Sequence, residues 1–252
     1  DLGGRTEEFK EDCIFFDAAD INNYEAPYEL VSTMRASCLV LGPLLARLGR
    51  AKVSLPGGCA IGTRPLDLHI RGLEAMGAKM RLERGYIYGS VKRLRGTRYY
   101  FDTVSVTGTA NLMMAATLAD GETILENVAK EPEVVFLADV LNRCGAKIEG
   151  HGTDLLVIQG VQSLKPIDCH IFPDRIETGT YMIASAITGG DVKIINCLPQ
   201  QVETLTLKLR QAGLIVEEAE TSLRVISNGQ FNGVNIKAQP CPGFATDLQA
   251  QF

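Results

Sequence analysis

The sequence predicts an α/β fold built from repeated strand–helix–strand–helix–strand–strand units. Three observations carry that reading. First, "EAMGAKMRL" (74–82), "NRCGAKIEG" (142–150) and "RQAGLIVEE" (210–218) each end an amphipathic stretch in glycine and open a strand. Their glycines, Gly77, Gly145 and Gly213, stand 68 residues apart. Second, "LGRAKVSL" (48–55), "ADGETILEN" (119–127) and "TGGDVKIIN" (188–196) each follow a longer apolar segment. A long period with constant internal order marks duplicated supersecondary units. Third, 46% hydrophobic and 22% charged residues over 252 positions are ordinary for globular domains with filled cores.

Within the first unit, Val31, Met34, Cys38, Leu41, Leu45 and Leu48 step by three and four, which predicts one helix over 31–48 closed by Gly49. A short strand follows, then a second helix over 65–76. There Asp67, Arg71 and Glu74 form a polar face opposite Leu66, Ile70 and Leu73, and Gly77 ends the helix. Strands at "AKMRL" and "YIYGSV" complete the unit. The units span roughly 14–92, 99–159 and 169–227, and a fourth opens near "VNIKAQPCPGFATDLQAQF". Stacked with helices inward and sheets outward, such units bury their apolar stripes against one another. The chain lacks an initial methionine and stops where a helix should begin, so it reads as a piece of a longer chain with both ends missing.

A net charge of −5 argues against a broad nucleic-acid surface while leaving room for local anion pockets. No apolar run approaches the roughly 20 residues of a membrane span, and no signal-peptide pattern opens the chain. The seven cysteines (Cys13, Cys38, Cys59, Cys144, Cys169, Cys197 and Cys241) include no C-x-x-C pair and suit reduced thiols in a cytoplasmic protein. Most sit in apolar surroundings and read as inert. The three histidines are too scattered for a metal site, and His69 reads as a packed, locally hydrogen-bonded residue.

Cys59 differs, because it lies in "SLPGGCAIGTRP" (54–65), a glycine-rich loop between a strand and a helix. Glycines let backbone N–H groups face a ligand, and Arg64-Pro65 open a helix whose first amides favour anions. A thiol in such positive potential is activated and accessible. The same stretch also reads as a surface turn with an incidental cysteine. Arg35, beside the apolar stripe, needs either a carboxylate partner or an anionic ligand, and snorkelling is the structural alternative. "FDTVSVTGTANLMM" (101–114) and "FPDRIETGTYMIAS" (172–185) both place Gly and Thr at a helix start, suited to phosphate or to ordinary capping. In "ATDLQAQF" (245–252) Asp247 is most simply an N-cap, or else a base in a cleft.

Taken together, "MRAS", "LPGGCAIGTRPLDLHIRGLEAMGA", "EPE", "PDRIETGT" and "TDLQAQF" occur in an order that resembles the UDP-N-acetylglucosamine 1-carboxyvinyltransferase family, enolpyruvyl transferases of peptidoglycan synthesis. The resemblance runs through the whole chain. It implies an EPSP-synthase-like architecture of two inside-out α/β barrel lobes, with a first lobe over 1–173, N-terminally truncated, and a partial second lobe over 174–252. It implies transfer of the enolpyruvyl group of phosphoenolpyruvate to the 3-hydroxyl of UDP-N-acetylglucosamine with release of phosphate. No cofactor or metal is implied, and fosfomycin is implied as a covalent inhibitor.

By that resemblance Cys59 is the proton donor to the methylene carbon and the thiol alkylated by fosfomycin, and Asp247 is the general base near the sugar hydroxyl. Arg35 and Arg64 match arginines binding phosphate and nucleotide sugar. Arg64, Pro65, Leu66, Asp67 and Leu68 match the uridine segment, and Thr103, Val104, Ser105 and Val106 the diphosphate and uridine turn. Asp174, Arg175 and Glu177 match a structural crossover. Thr103 stands where some relatives carry lysine, and the family's N-terminal Lys-Asn pair and second-lobe arginines have no counterpart here. A chain ending at Phe252 is therefore expected to turn over negligibly. Two rivals stay open: a 5-enolpyruvylshikimate-3-phosphate synthase-like transferase, and an inactive nucleotide-sugar-binding fragment. A cysteine hydrolase would need a histidine near Cys59, for which His69 is poorly spaced.

Overall fold

The computed structural model describes residues 2–10, 12–56 and 66–252. Cys59, Arg64 and Pro65 therefore lie outside the described residues. The chain forms two compact units. One comprises Asp1–Ala129 and Glu133–Ile167, the other Lys130–Pro132 and Asp168–Phe252.

The first unit opens with an antiparallel hairpin of β1 (Arg5–Lys10) and β2 (Cys13–Asp17). Two copies of the expected repeat follow. The first copy runs β3 (Glu25–Ala26), α1 (Tyr28–Val31), a 3₁₀ turn (Arg35–Val40), α2 (Leu41–Leu48), β4 (Arg50–Ser54), α3 (Asp67–Ala75), β5 (Lys79–Glu83) and β6 (Tyr86–Ser90). The second runs β7 (Arg98–Tyr100), α4 (Val106–Ala116), β8 (Glu122–Glu126), α5 (Pro132–Arg143), β9 (Lys147–Glu149) and β10 (Leu155–Gln159). Their sheets have the same order, β3-β4-β6-β5 and β7-β8-β10-β9, with one parallel pair at the start of each. The second unit holds α6 (Arg175–Thr188), β11 (Asp191–Ile195), α7 (Glu203–Gln211), β12 (Ile215–Glu218) and β13 (Ser222–Ile226). Its sheet, β11-β13-β12, has that order without the leading strand among the described residues.

The glycine that recurs in each repeat has a local cause. Gly77, Gly145 and Gly213 all take positive φ, at 92°, 100° and 101°. Each closes its helix with the same pair of bonds. The Gly77 N–H donates to the Glu74 carbonyl and the Ala78 N–H to that of Leu73; Gly145 and Ala146 repeat this on Asn142 and Leu141, and Gly213 and Leu214 on Arg210 and Leu209. This is the Schellman closure, whose left-handed residue costs glycine least. A Cβ at Gly77 or Gly145 would meet nothing within 4 Å, so backbone conformation rather than crowding demands glycine there.

Helices form the buried layer. In α4, "VTGTANLMMAA", residues 108–113, 115 and 116 are all buried, as expected for a helix without a clear polar face. It packs on α2 and α3 at two glycines. A Cβ at Gly72 would collide with Leu112, and one at Gly42 would sit 2.5 Å from the Asn111 carbonyl oxygen. The second unit has its own core around Met182, Leu205, Leu209, Leu223, Val225, Phe244 and Leu248.

Several expectations need correction. The stretch 31–48 is not one helix. Met34 is extended (φ −145°, ψ 121°), 59% exposed and outside the stripe, whereas Val31, Cys38, Leu41 and Leu45 are buried as expected. Pro43 lacks an N–H and would break a continuous helix, so α2 starts afresh at Leu41 with the proline inside its first turn. Cys13 and Cys169 are exposed rather than apolar core residues, while Cys38 and Cys197 are buried and their thiols pushed up by desolvation. Among the described residues, no helix is long and apolar enough to cross a membrane.

Candidate functional site

Three of the segments singled out by sequence converge in the first unit: the 3₁₀ turn carrying Arg35, the start of α3 with Leu66, Asp67 and Leu68, and the turn into α4 with Thr103, Val104, Ser105 and Val106. Arg35 is half-buried. Ser105 caps α4, its Oγ accepting from the Gly108 N–H at 3.1 Å. Asp174 caps α6 by accepting from the N–H groups of Ile176 (2.7 Å) and Glu177 (3.3 Å). The side chains that cap are thus Ser105 and Asp174, not the Gly-Thr pairs. Thr109 turns its hydroxyl to the Ala129 N–H (3.0 Å) and Thr178 donates to the Asp174 carbonyl (2.9 Å).

Asp67 stands in the first turn of α3. Its Oδ2 faces Arg71 at 3.8 Å, and Arg71 also reaches Asp102 at 3.6 Å. Its Oδ1 is buried and has no hydrogen-bond partner among the described residues. A buried carboxylate oxygen without a donor is costly, so this atom suits a ligand N–H or O–H. The Tyr99 hydroxyl donates to the Leu68 carbonyl at 3.2 Å, and its ring meets Phe101 edge-on at 5.0 Å. Burial, with Asp102 nearby, pushes the Tyr99 hydroxyl above its ordinary value and keeps it a donor.

Beneath these segments lies a polar network that the sequence reading did not find. Asn111, wholly buried in α4, accepts the Gly42 N–H on Oδ1 at 2.7 Å. A backbone N–H only donates, so the amide orientation is fixed. Its Nδ2 then donates to His69 Nδ1 at 2.8 Å and to the Cys38 carbonyl at 3.5 Å. His69 Nδ1 must accept, which puts the proton on Nε2, facing Thr107 Oγ1 at 3.2 Å. Burial, and then the positive charge of Arg35, lower the His69 pKa to about 4, so the ring is neutral near pH 7. His69 is packed and hydrogen-bonded as expected, but its partners Thr107 and Asn111 lie 38 and 42 residues away along the chain rather than nearby. The one signal for Asn111 was an amide inside the apolar run "NLMMAA".

Asp247 belongs to the second unit. It is exposed within a 3₁₀ turn, Thr246–Leu248, and is not an N-cap: that position is Ala245, which carries no side-chain cap. The turn is anchored by buried Leu248, which lies against Gly179, and by Phe244 and Phe252 stacked edge-on at 5.4 Å. Among the described residues no three His, Cys, Asp or Glu side chains are placed to hold a metal ion.

A family model described as EPSP synthase (3-phosphoshikimate 1-carboxyvinyltransferase) matches residues 1–252. A protein of Geobacter metallireducens named UDP-N-acetylglucosamine 1-carboxyvinyltransferase is 53% identical over 249 residues, covering 99% of this chain and 60% of that protein. One of the same name from Nitratidesulfovibrio vulgaris is 58% identical over 229 residues, covering 90% and 55%. The chain thus spans about 60% of the length of such relatives. Among solved structures, the enolpyruvyl transferase NikO from Streptomyces tendae aligns with a TM-score of 0.75 at 22% identity, over 89% of this chain and 55% of that one. EPSP synthase from Acinetobacter baumannii aligns at 0.68 and 20%, over 94% and 56%. At these identities the structural likeness speaks for the fold.

Proposed function

Because the chain belongs to the EPSP synthase (3-phosphoshikimate 1-carboxyvinyltransferase) family, we propose that the protein carrying it is an enolpyruvyl transferase acting on UDP-N-acetylglucosamine. The observation that carries the choice of acceptor is identity of 52% along the full 252 residues, and 58% over 229, to proteins named for that activity. The reaction is an addition–elimination. Asp247 takes the proton of the sugar 3-hydroxyl, whose oxygen bonds to C2 of phosphoenolpyruvate, while the Cys59 thiol gives a proton to the methylene carbon. The tetrahedral adduct then loses a methyl proton and expels phosphate, regenerating the double bond.

Arg35 and Arg64 supply charge-assisted contacts to the anionic substrates. Arg64, Pro65, Leu66, Asp67 and Leu68, with Thr103, Val104, Ser105 and Val106, hold the nucleotide. The buried Asp67 Oδ1 supports this part of the reading. The two lobes divide as 1–173 and 174–252. The product feeds peptidoglycan synthesis in the cytoplasm, no cofactor is needed, and fosfomycin blocks the enzyme at Cys59.

The test is phosphate release from phosphoenolpyruvate by the intact protein. Release is expected with UDP-N-acetylglucosamine and not with shikimate 3-phosphate; the reverse preference would move the protein to the shikimate branch of its family, and no release with either acceptor would defeat the assignment.

A further inference from the structure

Beneath the nucleotide segments, the structure has a buried polar network with no part in the chemistry proposed above. We propose that His69 and Asn111 are positioning residues for nucleotide-sugar binding: their hydrogen bonds lock together the three segments that carry Arg35, Asp67 and Ser105. The inference rests on the nucleotide-sugar reading and deepens it.

The connections are specific. The Cys38 carbonyl, held by Asn111, lies three residues beyond Arg35 on the same 3₁₀ turn. His69 follows Asp67 by two residues in the first turn of α3. Thr107, which accepts from His69, directly follows Val106 at the start of α4. Gly42 extends the network into α2. Each candidate ligand-binding segment is thus within three residues of a bond to a single imidazole–amide pair.

Packing alone does not account for these residue types. An amide and an imidazole buried to 0% and 2% exposure lose their hydration, and an apolar pair of similar volume would avoid that loss. Their return is directional. Each atom of the pair has one role fixed by the Gly42 N–H, so the network is satisfied in one arrangement of the helices and not in slid or rotated ones. A displacement of about 1 Å can cost on the order of a hundredfold in rate when a substrate must be held for reaction, so a scaffold that orients these segments offsets its desolvation.

The experiment compares the intact wild-type protein with His69→Leu, His69→Asn and Thr107→Val, reading the calorimetric Kd for UDP-N-acetylglucosamine and the Tm of each. His69→Leu should weaken binding roughly tenfold or more at temperatures where it is fully folded. His69→Asn, whose amide oxygen can accept from Asn111, should return to within about threefold of wild type. A purely structural role would lower Tm in both and leave Kd alone, and an unchanged Kd in folded His69→Leu overturns the proposal. Should that variant not fold, Thr107→Val decides: about threefold weaker binding is expected, and wild-type affinity overturns the proposal. Absence of any binding by wild type is a different failure, sinking the nucleotide-sugar reading and this inference with it.

Discussion

Lowering the pH from 7 to 5 should destabilise this protein through His69, and the size of the effect follows from its surroundings. The imidazole is 2% exposed and its pKa falls from the ordinary 6.5 to about 4, first through burial and then through Arg35. Because the folded-state value is the lower one, the unfolded chain binds the proton more readily. Stability is therefore undiminished above 6.5, declines as the pH falls toward 4, and levels off below that. At pH 5 the unfolded histidine is roughly 97% protonated and the folded one about 10%, a difference equivalent to about 2 kcal/mol. The assay is urea unfolding of wild type and His69→Asn at both pH values. The other titrating groups are common to the two proteins and cancel in the double difference. Wild type should lose about 2 kcal/mol more than the variant between pH 7 and 5. Equal losses, within about 0.5 kcal/mol, would mean that burial does not hold the imidazole neutral at pH 5.

Gly42→Ala would place a methyl 2.5 Å from the Asn111 carbonyl oxygen, against helix backbone that cannot swing away. A loss of about 1–3 kcal/mol is expected in urea unfolding, exceeding the roughly 1 kcal/mol gain in helix propensity. Asp174→Ala removes both cap bonds of α6 and should cost about 1 kcal/mol by the same measurement, with asparagine restoring most of it. Cys59→Ser should abolish covalent fosfomycin labelling by intact mass and sharply reduce turnover, whereas Cys144→Ser leaves both nearly unchanged; equal labelling of the two wild-type thiols would speak against Cys59. Asp247→Asn should lower kcat more than it weakens nucleotide-sugar binding, and the opposite split would remove it from the proton-transfer role.

What could be read in the chain was local. Gly77, Gly145 and Gly213 announced three helix ends because a left-handed closure needs its residue type at the position itself, without reference to neighbours distant in sequence. The helix expected over 31–48 failed where periodicity and backbone chemistry disagreed. The apolar spacing ran through Pro43, which a helix tolerates only within its first turn, so α2 begins at Leu41, and the extended Met34 separates α1 from the 3₁₀ turn that precedes α2. Asp247 was misjudged as a cap because a short 3₁₀ turn, held by Phe244, Leu248 and Phe252, replaces a regular helix start there. Ser105 was placed in a ligand turn by resemblance, and the structure adds that it caps α4.

By itself the sequence determined the repeat, the order of strands and helices within it, and the segments where chemistry is expected, because each is written in short-range pattern and residue type. Only the tertiary structure decided that Gly42, Cys38, His69, Thr107 and Asn111 share one network, with its amide orientation and tautomer. These residues are up to 73 positions apart. Whether a buried polar atom finds a partner depends on which helices meet and at what distance, and no periodicity along the chain encodes that.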